Sequence, residues 1–337
     1  MASSSISFLL GTIPVLFFLI MLRWMDGFRL VPLRLVCEVT VMGGVVGLLC
    51  VIAGIHMLHL EQLSVFSSYW LIPLLEESVK AAIVLWLFRQ HRIGFLVDAA
   101  ILGFAVGAGF AIVENLYYVM TLKSMPQVVW LVRGFGTAIM HGGVTAVFAI
   151  ATQLFSERNR RKNIIYCLPG LLMALSLHWL FNRFYLSPIT LTLLVVSCLP
   201  AFLVLVFLQS AHAMRSWLQQ GLDGDLALIE LLRSGEVSGS RMGEFLTGLR
   251  ERFDGSVLAD MLCYLRLYTE LGMRTKGVLM MRQQGFAVGG GEGIEERLTE
   301  MDYLEKNIGC VGMLALKPLL ARDWRSRWQM HLVSQLD

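Results

Sequence analysis

The sequence is short of charge. Of its 337 residues only 16% are Asp, Glu, Lys or Arg, while 56% are hydrophobic; soluble domains carry about a quarter charged residues. Such a chain is not a purely cytosolic enzyme. Its net charge of +3 is too small for nucleic-acid binding by bulk electrostatics, so no nucleic-acid partner is expected. Cysteine patterning is lacking too. Cys37, Cys50, Cys167, Cys198, Cys263 and Cys310 form no CxxC pair, and they read as isolated thiols rather than a disulfide framework. No basic stretch precedes the first apolar run, which argues against a cleaved signal peptide.

The charge that is present is unevenly spread. Residues 1–215 hold 14 Lys/Arg and 8 Asp/Glu, and residues 216–337 hold the remaining 14 and 17. This break divides the chain into a transmembrane domain, 1–215, and a polar domain, 216–337. Crossing the hydrocarbon core takes about 20 apolar residues in a helix. Seven segments qualify: 5–22, 36–59, 68–88, 94–120, 133–155, 164–185 and 188–211. The expected fold is all-α, a polytopic membrane helix bundle of about seven transmembrane helices with a C-terminal cytoplasmic helical domain.

Loop charges set the expected orientation. Loop one carries Arg23, Arg29 and Arg34, loop three Arg89 and Arg92, and loop five Arg158, Arg160, Arg161 and Lys162. The alternate loops hold only Glu61, Lys123 and Arg183. Positive charge marks the cytoplasmic side, so the N-terminus is expected outside and the polar tail inside. In the tail, Leu226–Leu232, Met242–Phe253, Val257–Arg282 and Ile294–Ile308 show helical apolar spacing, with a loop at Gly289–Gly290–Gly291. Within the spans, Gly43/Gly47, Gly103/Gly107 and Gly142–Gly143 read as sites of close helix approach.

Ionisable residues inside spans are costly and point to function. Glu76, Glu77 and Lys80 lie in the third span, Glu114 in the fourth, His141 in the fifth, and His178 with Asn182 in the sixth. Glu38 and Asp98 sit near span ends, within reach of water, and read as structural. The outer span ends fall near Tyr69, Tyr118, Arg133 and Phe184. From those ends, at about 1.5 Å per residue, Glu76 and Glu77 lie roughly 10–12 Å deep, Glu114 roughly 6 Å, His141 roughly 12 Å and His178 roughly 9 Å. Four helices of alternating direction thus place their polar groups in one layer, which predicts a shared site in the outer half of the membrane.

Spacing adds detail. Glu76 and Lys80 are one helical turn apart, so Lys80 is expected to neutralise that carboxylate. Glu77 is turned about 100° from Glu76. His178 and Asn182 share a face, and Asn115, beside Glu114, is a candidate hydrogen-bond donor. Two chemistries suit this set. In one, His141, His178 and Glu114 bind a catalytic zinc and Glu76 or Glu77 is the general base. In the other, a glutamate and a histidine activate water without metal while His178 and Asn182 stabilise the oxyanion. Spacing alone does not choose between them.

These residues also resemble a family. Leu75-Glu76-Glu77-Ser78-Val79-Lys80 resembles the EExxK motif of the PrsW family of intramembrane proteases, and Phe110 through Asn115 its FxxxEN motif. Arg133 through His141, with Thr137 between, is similar to the segment carrying the third motif's histidine. His178 through Asn182 is similar to the last motif, where Asn182 stands at a position that is often Asp. The resemblance covers roughly residues 68–185 and extends to the CAAX-prenyl proteases and bacteriocin-processing membrane proteins, which share the double glutamate.

It implies hydrolysis of a peptide bond in a membrane-anchored protein, such as a regulator like an anti-sigma factor, near the extracytoplasmic face. It also implies catalysis by Glu76, Glu77, Lys80, Glu114, Asn115, His141, His178 and Asn182, with or without zinc. The architecture suggests a bacterial inner membrane protein, and residues 216–337 offer a surface for a cytoplasmic partner. Readings of other classes are a non-catalytic scaffold or sensor that works through its tail, and a proton-coupled transporter. Against the transporter, no inverted repeat is apparent.

Overall fold

In the computed structural model, the described residues are 2–59, 65–122, 125–158, 164–183, 185–234, 241–286, 293–320, 328–329 and 332. Glu61, Lys123, Arg160, Arg161, Lys162, Phe184 and Gly289–Gly291, on which some loop and boundary expectations rest, lie outside them. Among the described residues every regular element is a helix. By internal contacts the chain divides into two units, Met1–Ser210 and Ala211–Asp337.

The first unit contains α1 (Ala2–Met25), α2 (Leu33–His59), α3 (Val65–Arg89), α4 (Leu96–Thr121), α5 (Gln127–Leu131), α6 (Ile139–Arg158), α7 (Leu168–Asn182) and the start of α8 (Pro188–Ser234). A π-helical turn, Val132–Ala138, joins α5 to α6, and a 3₁₀ turn, Ile164–Cys167, leads into α7. Six described helical segments are long and apolar enough to cross a membrane, one fewer than expected. The exception is α3, which has the length but carries Glu76, Glu77 and Lys80 at its middle. The same three residues that single it out chemically make it too polar to qualify by composition.

Helix α4 is the axis of this unit. Every residue from Leu96 to Ala111 is buried, so its apolar surface meets protein rather than lipid. Glycine makes this possible. A Cβ added at Gly43 or Gly47 of α2 would run into the backbone of Val106 or Phe110, and one at Gly109 into Thr40. On the other side of α4, a Cβ at Gly103 or Gly107 would collide with the backbone of Thr145 or His141. Without a strong hydrophobic drive between helices in lipid, such backbone approach supplies the packing energy. Asp98 serves local structure: its carboxylate accepts from the backbone N–H groups of Gly94 at 2.7 Å and Phe95 at 3.1 Å. Glu38 pairs with Arg34 at 2.9 Å.

The second unit contains α9 (Arg241–Arg250), α10 (Gly255–Gln283) and α11 (Ile294–Leu316), together with the end of α8. The expected helix at Leu226–Leu232 is the last part of α8, which continues unbroken past the expected span end at 211. Met261, Leu265, Leu271, Val278, Ile294, Leu304, Ile308 and Leu316 form an apolar core. Helix α11 runs beyond its expected end at Ile308, kinking at Gly309, whose φ of 70° suits a residue without a Cβ. Lys276 is buried against Asp225 at 2.5 Å.

The close approach at α4 is open to direct test. Gly107→Ala and Gly109→Ala should each cost about 1–3 kcal/mol through overpacking and lower the unfolding temperature of the detergent-purified protein. Gly54→Ala, with no atom within 4 Å of the added Cβ, should not. Equal melting curves for all three variants would contradict the packing described.

Candidate active site

Side chains from α3, α4, α6 and α7, with one from the π turn, converge on a single buried cluster. Glu77 and Lys80 lie one turn apart on α3 and form an ion pair at 2.5 Å, with side chains only 1% and 0% exposed. The Lys80 ammonium also lies 3.3 Å from His141 Nδ1 and over the Phe110 ring, 4.6 Å from its centroid. Glu77 Oε1 is 2.7 Å from His178 Nδ1. One carboxylate therefore holds both the lysine and a histidine from another helix. The two imidazoles stand edge to face, with centroids 5.0 Å apart.

Around this closed centre lies a more open rim. Glu76 Oε2 is 3.8 Å from His178 Nε2. Glu114 Oε2 is 3.1 Å from His141 Nε2, and Glu114 Oε1 is 3.4 Å from Arg133 Nη2. A continuous run of contacts thus links Arg133, Glu114, His141, Lys80, Glu77, His178 and Glu76. Three carboxylates face two permanent cations, so nearly every buried charge has a counter-charge, as a membrane interior requires. Helices α3 and α7 also meet through a stacked pair, Trp70 and Trp179, at 4.8 Å.

Glu76, Glu77, Lys80, Glu114, His141 and His178, expected in one layer, are linked by direct contacts. Several details differ. Lys80 pairs with Glu77 at i+3 rather than Glu76 at i+4. Both spacings make neighbours on a helix, and the face shared by Glu77 and Lys80 is the one turned toward His141 and His178. Asn115 points away from the cluster centre: its Nδ2 donates to Gly11 O on α1 at 2.7 Å, and its Oδ1 accepts from Arg133 Nε at 2.9 Å. Asn182 is half-buried and makes none of the cluster's hydrogen bonds among the described residues. The His₂Glu group with ligand atoms within 4.8 Å of one another is Glu76, His141 and His178. Glu114, the carboxylate expected in that set, lies between Arg133 and His141.

Arg133 was the residue that sequence reasoning passed over, treating it as a span end. The signal available was an arginine inside an apolar run, eight residues before His141. What hides its role is the π turn: in a regular α-helix, eight residues leave two side chains about 80° apart around the axis. A π turn takes in one extra residue, which brings Arg133 and His141 to within about 20° of one face. Gly134 and Gly136 let this wider turn sit against Leu10 of α1 and Thr192 of α8, where a Cβ would clash.

A polytopic helical membrane protein that gathers glutamates and histidines at buried depth carries the groups that a water-activating intramembrane centre uses. The chain belongs to the PrsW family of intramembrane metalloproteases, whose model matches residues 31–209. That match takes in all four motif-bearing helices and extends on both sides of the expected 68–185. No curated protein and no solved structure matches the chain. Membership implies a protein substrate and a lipid environment.

The donor chemistry suits the metal that the family name implies. Two histidines and a glutamate from three helices form the set common to catalytic zinc, and Glu77 holds His178 by Nδ1 so that Nε2 faces Glu76. A carboxylate behind a ligating histidine fixes its ring and tautomer.

The Glu77–Lys80 pair carries its own prediction. Lys80→Met strands a buried carboxylate and should cost about 3–5 kcal/mol. The double variant Glu77→Gln/Lys80→Met removes both charges and should melt higher than Lys80→Met alone. If the double variant melts lower, the charge-pair account is wrong.

Proposed function

We propose that the chain cleaves a peptide bond of a membrane-anchored protein, at this cluster, in the half of the bilayer away from the cytoplasm. The observation that carries the reading is the His₂Glu group beside two further buried carboxylates, one closed off and one facing the rim. Loop charge supports an orientation with the N-terminus and the cluster toward the outside and the second unit in the cytoplasm. A regulator such as an anti-sigma factor, cut close to its extracytoplasmic membrane boundary, fits that geometry. The inner membrane of a bacterium fits the architecture, and the second unit gives a cytoplasmic partner a place to act.

Glu76, His141 and His178 would hold the metal, with zinc the ion their chemistry suits. When bound, such an ion lowers the pKa of water and polarises a carbonyl. The chain's own groups divide the remaining work. Glu77 is shut away and orients His178, while Lys80 balances its charge. Glu114 is the carboxylate with room to act: its Oε2, 3.1 Å from His141 Nε2, keeps accepting capacity to spare. It takes a proton from water as oxygen bonds to the scissile carbon, then delivers that proton to the amide nitrogen as the C–N bond breaks. A second reading, direct activation of water by glutamate and histidine, draws on His141, whose two nitrogens face Lys80 and Glu114.

Two measurements separate these readings. Elemental analysis of gently purified protein should give about one zinc per chain, lost in His141→Ala, His178→Ala and Glu76→Gln. Glu77→Gln should keep the site but weaken metal affinity by about 10- to 100-fold. Zinc-free but active protein would establish the direct mechanism. Activity itself can be read without a known substrate. Membranes expressing the wild type should contain new protein N-termini that are missing with Glu114→Gln or His178→Ala at equal expression. Identical N-termini across all three strains would overturn the protease reading.

A further inference from the structure

Arg133 combines features that a simple counter-ion does not need. Its Nη2 is buried and completes no hydrogen bond among the described residues; the 3.4 Å approach to Glu114 Oε1 is an ion-pair contact only. Next to it, Glu114 Oε2 is buried with His141 Nε2 at 3.1 Å, a single contact that leaves part of the carboxylate oxygen's accepting capacity unused. A spare donor and a partly used acceptor thus lie side by side in a site otherwise closely satisfied. Buried polar groups left open in this way cost about 1–3 kcal/mol each, and the pair suits a ligand with one acceptor and one donor. A peptide carbonyl together with an attacking water is such a ligand.

The guanidinium is also held still. Asn115 accepts from its Nε at 2.9 Å, and Asn115 is itself tied to Gly11 of α1 at 2.7 Å. Tyr118 stacks on the guanidinium at 3.9 Å. The π turn aims it along the His141 face. Arg133 and Glu114 keep 16% and 17% of their side chains exposed, while Nη2 and Oε2 themselves are covered, so the pair borders the rim with its spare atoms just behind the surface. A fixed donor aimed at developing charge is the arrangement that stabilises an oxyanion.

We propose that Arg133 is a catalytic residue, its guanidinium Nη2 donating to the carbonyl oxygen of the scissile peptide beside the carboxylate of Glu114. This assignment rests on the proposed peptide hydrolysis. It moves the oxyanion-stabilising role from Asn182 on α7 to the π turn.

The test uses the full chain in detergent micelles and a synthetic single-span peptide bearing the strongest cleavage site found in the membrane N-terminus experiment. Arg133→Gln should lower kcat about 100- to 1,000-fold, with KM within about threefold of wild type. Zinc content and melting temperature should stay near wild type. Arg133→Lys, which keeps one charged donor, should recover part of the rate. Millimolar guanidinium ion should partly restore Arg133→Ala, and a group needed only for packing would not respond in that way. Wild-type kcat in Arg133→Gln overturns the proposal while leaving the protease reading intact. So does a rate loss that follows zinc loss or unfolding and resists both lysine and guanidinium. A wild type that cuts no peptide overturns the protease reading, and this assignment falls with it.

Discussion

The Glu77–Lys80 ion pair is the constraint around which the first unit is organised. Neither charge has access to solvent, and a lone charge at bilayer depth costs several kcal/mol at least. Attraction between the two alone does not offset the loss of hydration. The pair persists because His178 takes up a second position on Glu77, while His141 and the Phe110 face surround the ammonium. Those groups come from three other helices. Satisfying one pair therefore fixes the relative height and rotation of α3, α4, α6 and α7. The chemistry of the site and the registration of the bundle follow from the same contacts.

Such registration demands close helices, and the glycines supply them. His141 can approach α4 only because Gly107 leaves its backbone carbonyl room, and α2 closes on the opposite side through Gly43, Gly47 and Gly109. Small residues on both sides of α4 thus do two things at once. They provide packing where water offers no drive, and they shorten the distance over which short polar side chains must reach. A methyl group at Gly107 would act on the histidine as directly as a change in the histidine itself.

Much of this was legible in the sequence. Apolar runs with one polar layer mark the bundle and group Glu76, Glu77, Lys80, Glu114, His141 and His178. Three aspects were not legible, each for a physical reason. Lys80 has two carboxylates within one turn, and only the position of α6 and α7 decides between them. Asn115 and Asn182 are amides whose partners depend on rotamer and on distant chain, so Gly11 could not be foreseen as a partner of Asn115. Arg133 was masked because counting at 3.6 residues per turn presumes an unbroken α-helix. The VRGFGTA stretch departs from that period, and no local signal in side-chain type announces a π turn.

The cluster also has a polarity, from a sealed centre to a partly exposed rim. Glu77, Lys80, His141 and His178 are shut in by helix packing, and each is committed to partners within the chain. Glu76, Glu114 and Arg133 line the rim, and the last two carry unused hydrogen-bonding capacity. A rigid interior that sets geometry, backed against a rim with open valences, is what preorganised catalysis requires. On the proposed reading, a substrate would meet donors and acceptors already in place, with little movement of charge in a medium that penalises it. The extra residue of the π turn completes that rim: it brings a guanidinium onto the histidine's face without adding another charge to the sealed centre.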